Sequence, residues 1–192
     1  TTILILRMNQ KEQLLQKVAV VSINTPGFEA SKRFESVICT DFEVVLFYKD
    51  GFGDGGCGFG SLDEAMDKIW GFDVIVFFLA TGIVVRILAP LIVHKTSDPA
   101  VVVLDQKGKH AISLLSGHLG GANDLAREMA AISGGEAVIT TATDVAGELS
   151  FDTFAKKYDM AIENIGQLKH ISGALLAGKK VNVFTNKNAK KL

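Results

Sequence analysis

Short apolar runs alternate with amphipathic segments along most of the chain. Runs rich in Val, Ile and Leu that end at turn residues are typical of buried strands, and apolar positions spaced three and four apart are typical of helices. Strands are predicted at 18–23, 37–39, 44–48, 73–80, 100–104, 110–115 and 137–141, and helices at 27–36, 61–70, 82–91 and 121–132. This alternation indicates a three-layer α/β domain, with a mostly parallel, Rossmann-like sheet and helices on both faces.

The segment 74–93 is long enough to cross a bilayer and contains one charged residue, Arg86. Inserting that arginine into a membrane would cost about 2.5 to 3.5 kcal/mol. Thr81 and Gly82 also interrupt the apolar run, and Pro90 breaks its end. The segment is therefore predicted to form a buried strand, a turn and a buried helix.

The pattern changes after Asp144, which suggests a domain boundary. Residues 18–144 are predicted to form the α/β domain and residues 1–17 an N-terminal extension. Residues 145–192 are predicted to begin a second, smaller α/β unit, with helices at 149–158 and 167–177 and a strand at 181–184. The lysines of the last fourteen residues are interpreted as a solvated terminus.

Composition narrows the class of partner. The chain is 48% hydrophobic, and its 20 basic and 21 acidic residues give a net charge of −1, so no overall field attracts a nucleic acid or an anionic membrane. Cys39 and Cys57 fit no zinc-ligand spacing and suit a reducing compartment. We therefore expect a cytoplasmic protein with a small-molecule partner, and the sequence leaves a homo-oligomer open.

The segment 51–60 contains six glycines and has no hydrophobic period. Such a segment is usually a flexible loop, although some glycine-rich loops approach a ligand closely. We predict a flexible loop, and its place in the chain leaves a substrate-facing role open.

Polar, hydrogen-bonding residues follow three of the predicted strands. They are Thr81 and Gly82 with Arg86 one turn later, the segment 116–124 (SGHLGGAND), and the segment 140–144 (TTATD). Ligands of parallel sheets bind outside the carboxyl ends of the strands. The sequence therefore predicts that all three passages share one edge of the sheet, and separate edges would overturn this hypothesis.

The glycine-rich passage has the chemistry of an anion site, because glycines allow close approach and helix-start amides favour negative charge. It matches neither the dinucleotide fingerprint nor the P-loop. His118 could act as a general base, with Ser116, Asn123 or Asp124 as a hydrogen-bonding neighbour, or it could simply cap the helix.

The residues of the other two polar passages could bind a ligand or could have purely structural roles. Arg86 either binds a substrate carboxylate or pairs with an acid such as Asp73 or Asp144. The threonines of 140–144 could equally satisfy turn backbone, and Asp144 could cap a helix.

Four segments in order, 80–86 (ATGIVVR), 98–103 (DPAVVV), 112–123 (ISLLSGHLGGAN) and 138–144 (VITTATD), resemble the CbiG family of cobalt-precorrin-5A hydrolases. The resemblance covers roughly 18–144, similar to the N-terminal domain of that family, and continues into the start of its central region. It implies anaerobic cobalamin biosynthesis: hydrolytic opening of the ring A δ-lactone of cobalt-precorrin-5A and release of acetaldehyde. It also implies no cofactor, since the cobalt is carried by the substrate.

The resemblance suggests a role for each polar passage. We hypothesise that His118 activates water and that the amides of Gly120 and Gly121 stabilise the oxyanion. The residues expected to position the macrocycle and its carboxylates are Thr81, Gly82, Arg86, Ser116, Gly117, Asn123, Thr140, Thr141, Thr143 and Asp144.

Members of the family usually continue into a C-terminal domain, so the sequence is interpreted as a fragment or a short variant. One alternative is a non-catalytic corrinoid-binding module, which would bind the substrate without releasing acetaldehyde. The other is a nucleotide-binding Rossmann-like domain, against which the missing dinucleotide fingerprint counts.

Overall fold

The computed structural model describes residues 3–8, 16–94, 97–118, 120–145, 147, 150–151, 154–155, 158 and 160–185. Contacts divide the chain into two compact units, one of residues 14–139 and one of residues 1–13 with 140–192. The larger unit is the predicted α/β domain, with helices α1 (Thr25–Ile38), α2 (Leu62–Ile69), α3 (Thr81–Leu88) and α4 (Ala122–Ser133). Its strands are β2 (Gln16–Ser22), β3 (Phe42–Lys49), β4 (Cys57–Phe59), β5 (Val74–Phe78), β6 (Ala100–Leu104), β7 (His110–Leu115) and β8 (Glu136–Val138).

These seven strands form one sheet in the order β4-β3-β2-β5-β6-β7-β8. The first five strands in this order are parallel to one another. The strand β7 runs antiparallel to β6, and β8 is parallel to β7. The prediction of a mostly parallel sheet is confirmed, with two strands at one side running the other way.

Alternate side chains of the central strands enter two separate cores. Val18 and Val20 of β2 belong to the core under α1 and α4, whereas Ala19 and Val21 belong to the core under α2 and α3. Because both faces are covered, β5 and β6 are apolar at every position, and β2 is apolar from Val18 to Val21. The three predicted layers are therefore present.

Two sequence signals locate helix starts well. Asn24 accepts a 2.9 Å hydrogen bond from the amide of Gly27 and caps α1. Ser61 accepts from the amide of Glu64, and the Glu64 carboxylate accepts from the amide of Gly60, one residue before the cap. Ser61 and Glu64 thus form the capping pattern Ser-x-x-Glu at the start of α2.

Other local predictions were wrong. The predicted strand 37–39 does not form, since α1 extends to Ile38 and buries it. The glycine-rich segment is partly strand: β4 pairs with β3, and Phe59 is 1% exposed. The ring of Phe59 thus packs in the core and fixes the end of the glycine-rich segment there. The segment 74–93 folds as the predicted strand, turn and helix, but the helix is not buried as predicted: Val84 and Leu88 are buried, whereas Val85 is 48% exposed.

The smaller unit contains a three-stranded sheet of β1 (Ile3–Met8), β9 (Met160–Ile162) and β10 (Asn182–Thr185). The strand β1 lies in the middle, parallel to β10 and antiparallel to β9. The unit also contains α5 (Ala142–Val145), a 3-10 turn at Ile165–Gln167 and α6 (Leu168–Leu176). Part of the helix predicted at 149–158 lies outside the described residues.

The unit boundaries differ from the predicted domains. Residues 3–8 are not an extension, because this apolar strand has a hydrogen-bonding partner on each side in the smaller unit. The contact-based division falls between Ile139 and Thr140, a few residues before the predicted boundary at Asp144. Within the described residues, no helix has the length and apolar character that a membrane crossing requires.

Candidate functional site

The direction of β7 separates the predicted site residues. Leu115, the last residue of β7, pairs with Val101 near the start of β6, so the Gly117 turn follows at the amino end of β6. Thr81 follows the carboxyl end of β5, which is parallel to β6. The two edges are separated by the length of the five-residue β6, roughly 17 Å. The prediction of one shared edge is therefore wrong.

The carboxyl edge is formed by the ends of β2, β5 and β6. The neighbouring strands β2 and β5 end side by side, with Ser22 opposite Phe78. From this point α1 covers one face of the sheet and α3 the other. Such a divergence marks the position of the crevice in which an open α/β sheet usually binds its ligand.

The start of α3 offers free donors at this edge. The side chain of its N-cap residue, Ala80, makes no capping hydrogen bond. Among the described residues, the amides of Thr81 and Gly82 have no hydrogen-bond acceptor. Arg86 is exposed and donates a 2.8 Å hydrogen bond from Nη1 to the carbonyl of Gly82. A helix start with free amides and an adjacent guanidinium is suited to bind an anion.

Arg86 does not pair with Asp73, one of the two acids considered from the sequence. Asp73 accepts a 2.8 Å hydrogen bond from the backbone amide of Lys17. Asp144 accepts a 2.6 Å hydrogen bond from the hydroxyl of Thr141 in the smaller unit. Because Arg86 is on the exposed side of α3, it needs no buried partner.

A depression of about 370 Å³ adjoins this helix start, lined by Leu79, Ala80, Asp105, Gln106 and Lys107. Burial raises the pKa of Asp105, but backbone hydrogen bonds from His110, Lys107 and Lys109 and the charge of His110 outweigh it, so the pKa lies below its usual range. The Asp105 carboxylate stays ionised and occupied by these donors. It is therefore a weak candidate for a general base.

Ser22, at the end of β2, was missed by the sequence reasoning. It is fully buried, and it is the single side chain for which the described residues leave a buried polar atom without a hydrogen-bond partner. The first turn of α1 lies directly over it: a Cβ at Gly27 would be 3.3 Å from the Cβ of Ser22. The hydroxyl is thus enclosed by the protein and does not reach the crevice.

At the opposite edge, the Gly117 turn is tied to its surroundings by hydrogen bonds. Ser116 Oγ donates to the carbonyl of Asp98 over 3.1 Å, and the amide of Asn123 donates to the carbonyl of Gly117 over 3.0 Å. Ser116 has a φ of 53° and is the one non-glycine residue with positive φ in the described part of the chain. A Cβ at Gly117 would lie 2.5 Å from the side-chain oxygen of Asn123, so glycine is required by packing.

The start of α4 is already occupied by this turn. The amide of Gly121 donates to the carbonyl of His118, and the amide of Ala122 donates to the carbonyl of Ser116. The Gly121 amide, predicted as an oxyanion donor, thus already donates within the turn, and its role toward a substrate stays a prediction. A Cβ at Gly120 would lie 2.6 Å from the Cβ of Ser116, so this glycine too is fixed by packing.

The third predicted passage belongs to the smaller unit. The amide of Val145 donates to the carbonyl of Thr141, whose hydroxyl bonds to Asp144. This is the local turn geometry that the sequence left open. Thr140 is exposed, and the side chain of Thr143 lies outside the described part of the chain.

Within the described residues, no group of three or more His, Cys, Asp or Glu side chains is placed to hold a metal ion.

Two family models match the chain. Cobalamin synthesis G N-terminal matches residues 64–144, and the cobalamin biosynthesis central region matches residues 149–192. These ranges include all three polar passages.

Curated relatives agree with this match. The chain is 36% identical over 171 residues to a cobalt-precorrin-5A hydrolase of Salmonella typhimurium, covering 88% of this chain and 48% of the relative. It is 39% identical over 116 residues to a protein of the same name from Priestia megaterium, covering 60% of this chain and 31% of the relative. The chain thus spans about half the length of the relatives it matches, or less.

A solved structure supports the fold. The crystal structure of a cobalamin biosynthesis protein G homolog from Sulfolobus solfataricus superposes with a TM-score of 0.56 at 24% identity, covering 92% of this chain and 57% of that chain. Through its two matched regions, the chain belongs to the CbiG family, of which it carries N-terminal and central-region sequence.

Proposed function

We propose that this chain is part of a cobalt-precorrin-5A hydrolase of cobalamin biosynthesis. In the proposed reaction, water adds to the ring A lactone and opens it, and the two-carbon unit leaves as acetaldehyde. The observation that carries the proposal is the 36% identity over 171 residues to a relative of that name. The proposed reaction needs no cofactor of the protein, since the cobalt is part of the substrate.

The carboxyl edge of the larger unit is our proposed substrate-binding edge. The substrate is a macrocycle with acetate and propionate carboxylates, and such groups suit Arg86 and the free amides of Thr81 and Gly82. The depression beside Ala80 gives room for the acetate or propionate side chain that carries the bound carboxylate. At the Gly117 turn, by contrast, the amides of Gly121, Ala122 and Asn123 already donate to carbonyls of the turn.

His118 no longer shares a site with Arg86 in this proposal. It was predicted to activate water for a lactone held by the same edge, and the two residues follow opposite ends of the sheet. We therefore expect His118→Ala to leave acetaldehyde release within about twofold of the unchanged chain. A 10²- to 10⁴-fold fall in acetaldehyde release, which is typical of the loss of a general base, would instead place the lactone at the Gly117 turn. That result would overturn the assignment of the carboxyl edge.

The test is an anaerobic incubation of the chain with cobalt-precorrin-5A, followed by two measurements: acetaldehyde release and the dissociation constant of the complex. We expect Arg86→Gln to raise the dissociation constant roughly tenfold. The matched control is Arg127→Gln, which removes an exposed arginine from α4 and should change binding less than twofold.

Two results would contradict the proposal in different ways. Binding without acetaldehyde release would favour the non-catalytic corrinoid-binding module. Absence of binding by the folded chain would remove the substrate assignment altogether.

A further inference from the structure

A second cleft lies between α1 and α4, beside the turn that joins β6 to β7. It has a volume of about 220 Å³ and is lined by Ala30, Arg33, Phe34, Lys107, Gly108, Ile132 and Ser133. None of these residues belongs to the three polar passages that the sequence singled out.

The wall formed by the turn is held in place. Ser133 Oγ donates a 2.6 Å hydrogen bond to the carbonyl of Gly108. Gly108 has a φ of +67°, and a Cβ there would lie 2.7 Å from the Cβ of Ser133. The turn therefore packs directly on the end of α4, and the cleft does not need a ligand in order to form.

The cleft is positively charged at its rim. Arg33 and Lys107 both line it, both are exposed, and its lining contains no acidic residue. Across the described residues, neither side chain takes part in an ion pair. The nearby carboxylate of Asp105 accepts hydrogen bonds from the backbone amides of Lys107 and His110, within the turn.

The cleft and the depression beside Ala80, where α3 begins, have the lining residue Lys107 in common. A ligand with several anionic arms could thus contact the start of α3 with one arm and the cleft with another.

We infer that the cleft between α1 and α4 binds a carboxylate carried on a short apolar arm. The guanidinium of Arg33 can hold two carboxylate oxygens, and Lys107 adds a second charge. Ala30, Phe34 and Ile132 supply apolar surface for the methylene groups, which favours a carboxylate with an alkyl chain over inorganic phosphate. The identification of that arm as a propionate of the macrocycle rests on the proposed function.

The first experiment uses pentanoate as the probe, with inorganic phosphate for comparison. Titration of the full chain should shift the backbone NMR signals of Gly108, Ile132 and Ser133, with pentanoate affinity on the order of millimolar and tighter than phosphate. Arg33→Gln and Lys107→Gln should each raise the pentanoate dissociation constant roughly 3- to 10-fold. Lys49→Gln, which removes an exposed lysine at the end of β3, is the matched control and should have no effect.

The inference is overturned if pentanoate leaves those three signals unchanged, or if the double variant Arg33→Gln/Lys107→Gln binds it as well as the unchanged chain. An equal unfolding temperature for the variants and the unchanged chain ensures that lost binding is not lost folding.

Binding of cobalt-precorrin-5A separates this inference from the proposed function. Substrate binding that is weakened by the double variant and not by Arg127→Gln supports both. Pentanoate binding without substrate binding supports the cleft and contradicts the proposed function. Substrate binding that the double variant leaves unchanged contradicts the assignment of the cleft to the substrate.

Discussion

The hydroxyl of Ser113 on β7 donates a 2.6 Å hydrogen bond to the side-chain oxygen of Asn123, in the first turn of α4. Asn123 is 2% exposed, and its backbone amide bonds to the carbonyl of Gly117. One buried residue thus connects the strand, the turn and the helix, through its side chain to Ser113 and through its backbone amide to Gly117.

Replacing Asn123 with Ala should lower the free energy of unfolding by about 1 to 3 kcal/mol, because the Ser113 hydroxyl loses its acceptor. Urea denaturation measures the change. The control is Asp124→Ala, which removes an exposed ion pair with Arg127 and should cost less than about 1 kcal/mol. Equal costs for the two variants would contradict a structural role for the buried pair.

Gly117→Ala should also destabilise the chain, by about 1 to 3 kcal/mol. The added methyl group would lie 2.5 Å from the side-chain oxygen of Asn123, and the turn or the asparagine must move. Gly71→Ala is the matched control, since that glycine is exposed and a Cβ there meets nothing within 4 Å. Its effect on thermal unfolding should be within about 0.5 kcal/mol. If Gly117→Ala were equally harmless, the packing requirement would be refuted.

Asp105 should make the stability of the chain sensitive to acid. Its pKa is lower in the folded chain than in the unfolded one, so its contribution is complete above the ordinary aspartate pKa of about 4 and is lost as the pH falls through the folded pKa. The free energy of unfolding should therefore fall more between pH 5 and pH 3 in the unchanged chain than in Asp105→Asn. The exposed Asp67 is the control position: Asp67→Asn should keep the full acid dependence. An identical pH dependence for Asp105→Asn would exclude this contribution.

The sequence could predict local elements because their signals are local. Ser61 and Glu64 locate the start of α2, and Thr81 with Gly82 divides an apolar stretch into β5 and α3. The direction of β7 depends on how it pairs with β6. The alternation of side chains along β7 would be the same for a parallel and for an antiparallel strand. The short turn before it was nevertheless informative, because a parallel strand needs a crossover connection of a dozen residues or more.

The candidate site was predicted less well than the fold. Arg86 and Thr81 lie at the edge where an α/β sheet binds ligands, as expected from the strand that precedes them. The glycines of the Gly117 turn suggested a ligand loop, but their surroundings explain them by close packing. Arg33 and Lys107 are far apart in sequence and have no motif in common, so no sequence pattern could place them at one cleft.

Ser22 and Ser31 are two buried serines of the larger unit that should respond to alanine with opposite signs. Ser22 is fully buried and has no hydrogen-bond partner among the residues that the structure describes, whereas the hydroxyl of Ser31 donates a 2.9 Å hydrogen bond to the carbonyl of Gly27. Ser22→Ala removes a polar group that folding desolvates without compensation, so it should raise the free energy of unfolding by about 1 kcal/mol. Ser31→Ala loses a hydrogen bond and should lower it by about 0.5 to 1.5 kcal/mol. Urea denaturation of both variants gives the comparison, and destabilisation by Ser22→Ala of the same size as by Ser31→Ala would mean that the Ser22 hydroxyl has a partner in solution.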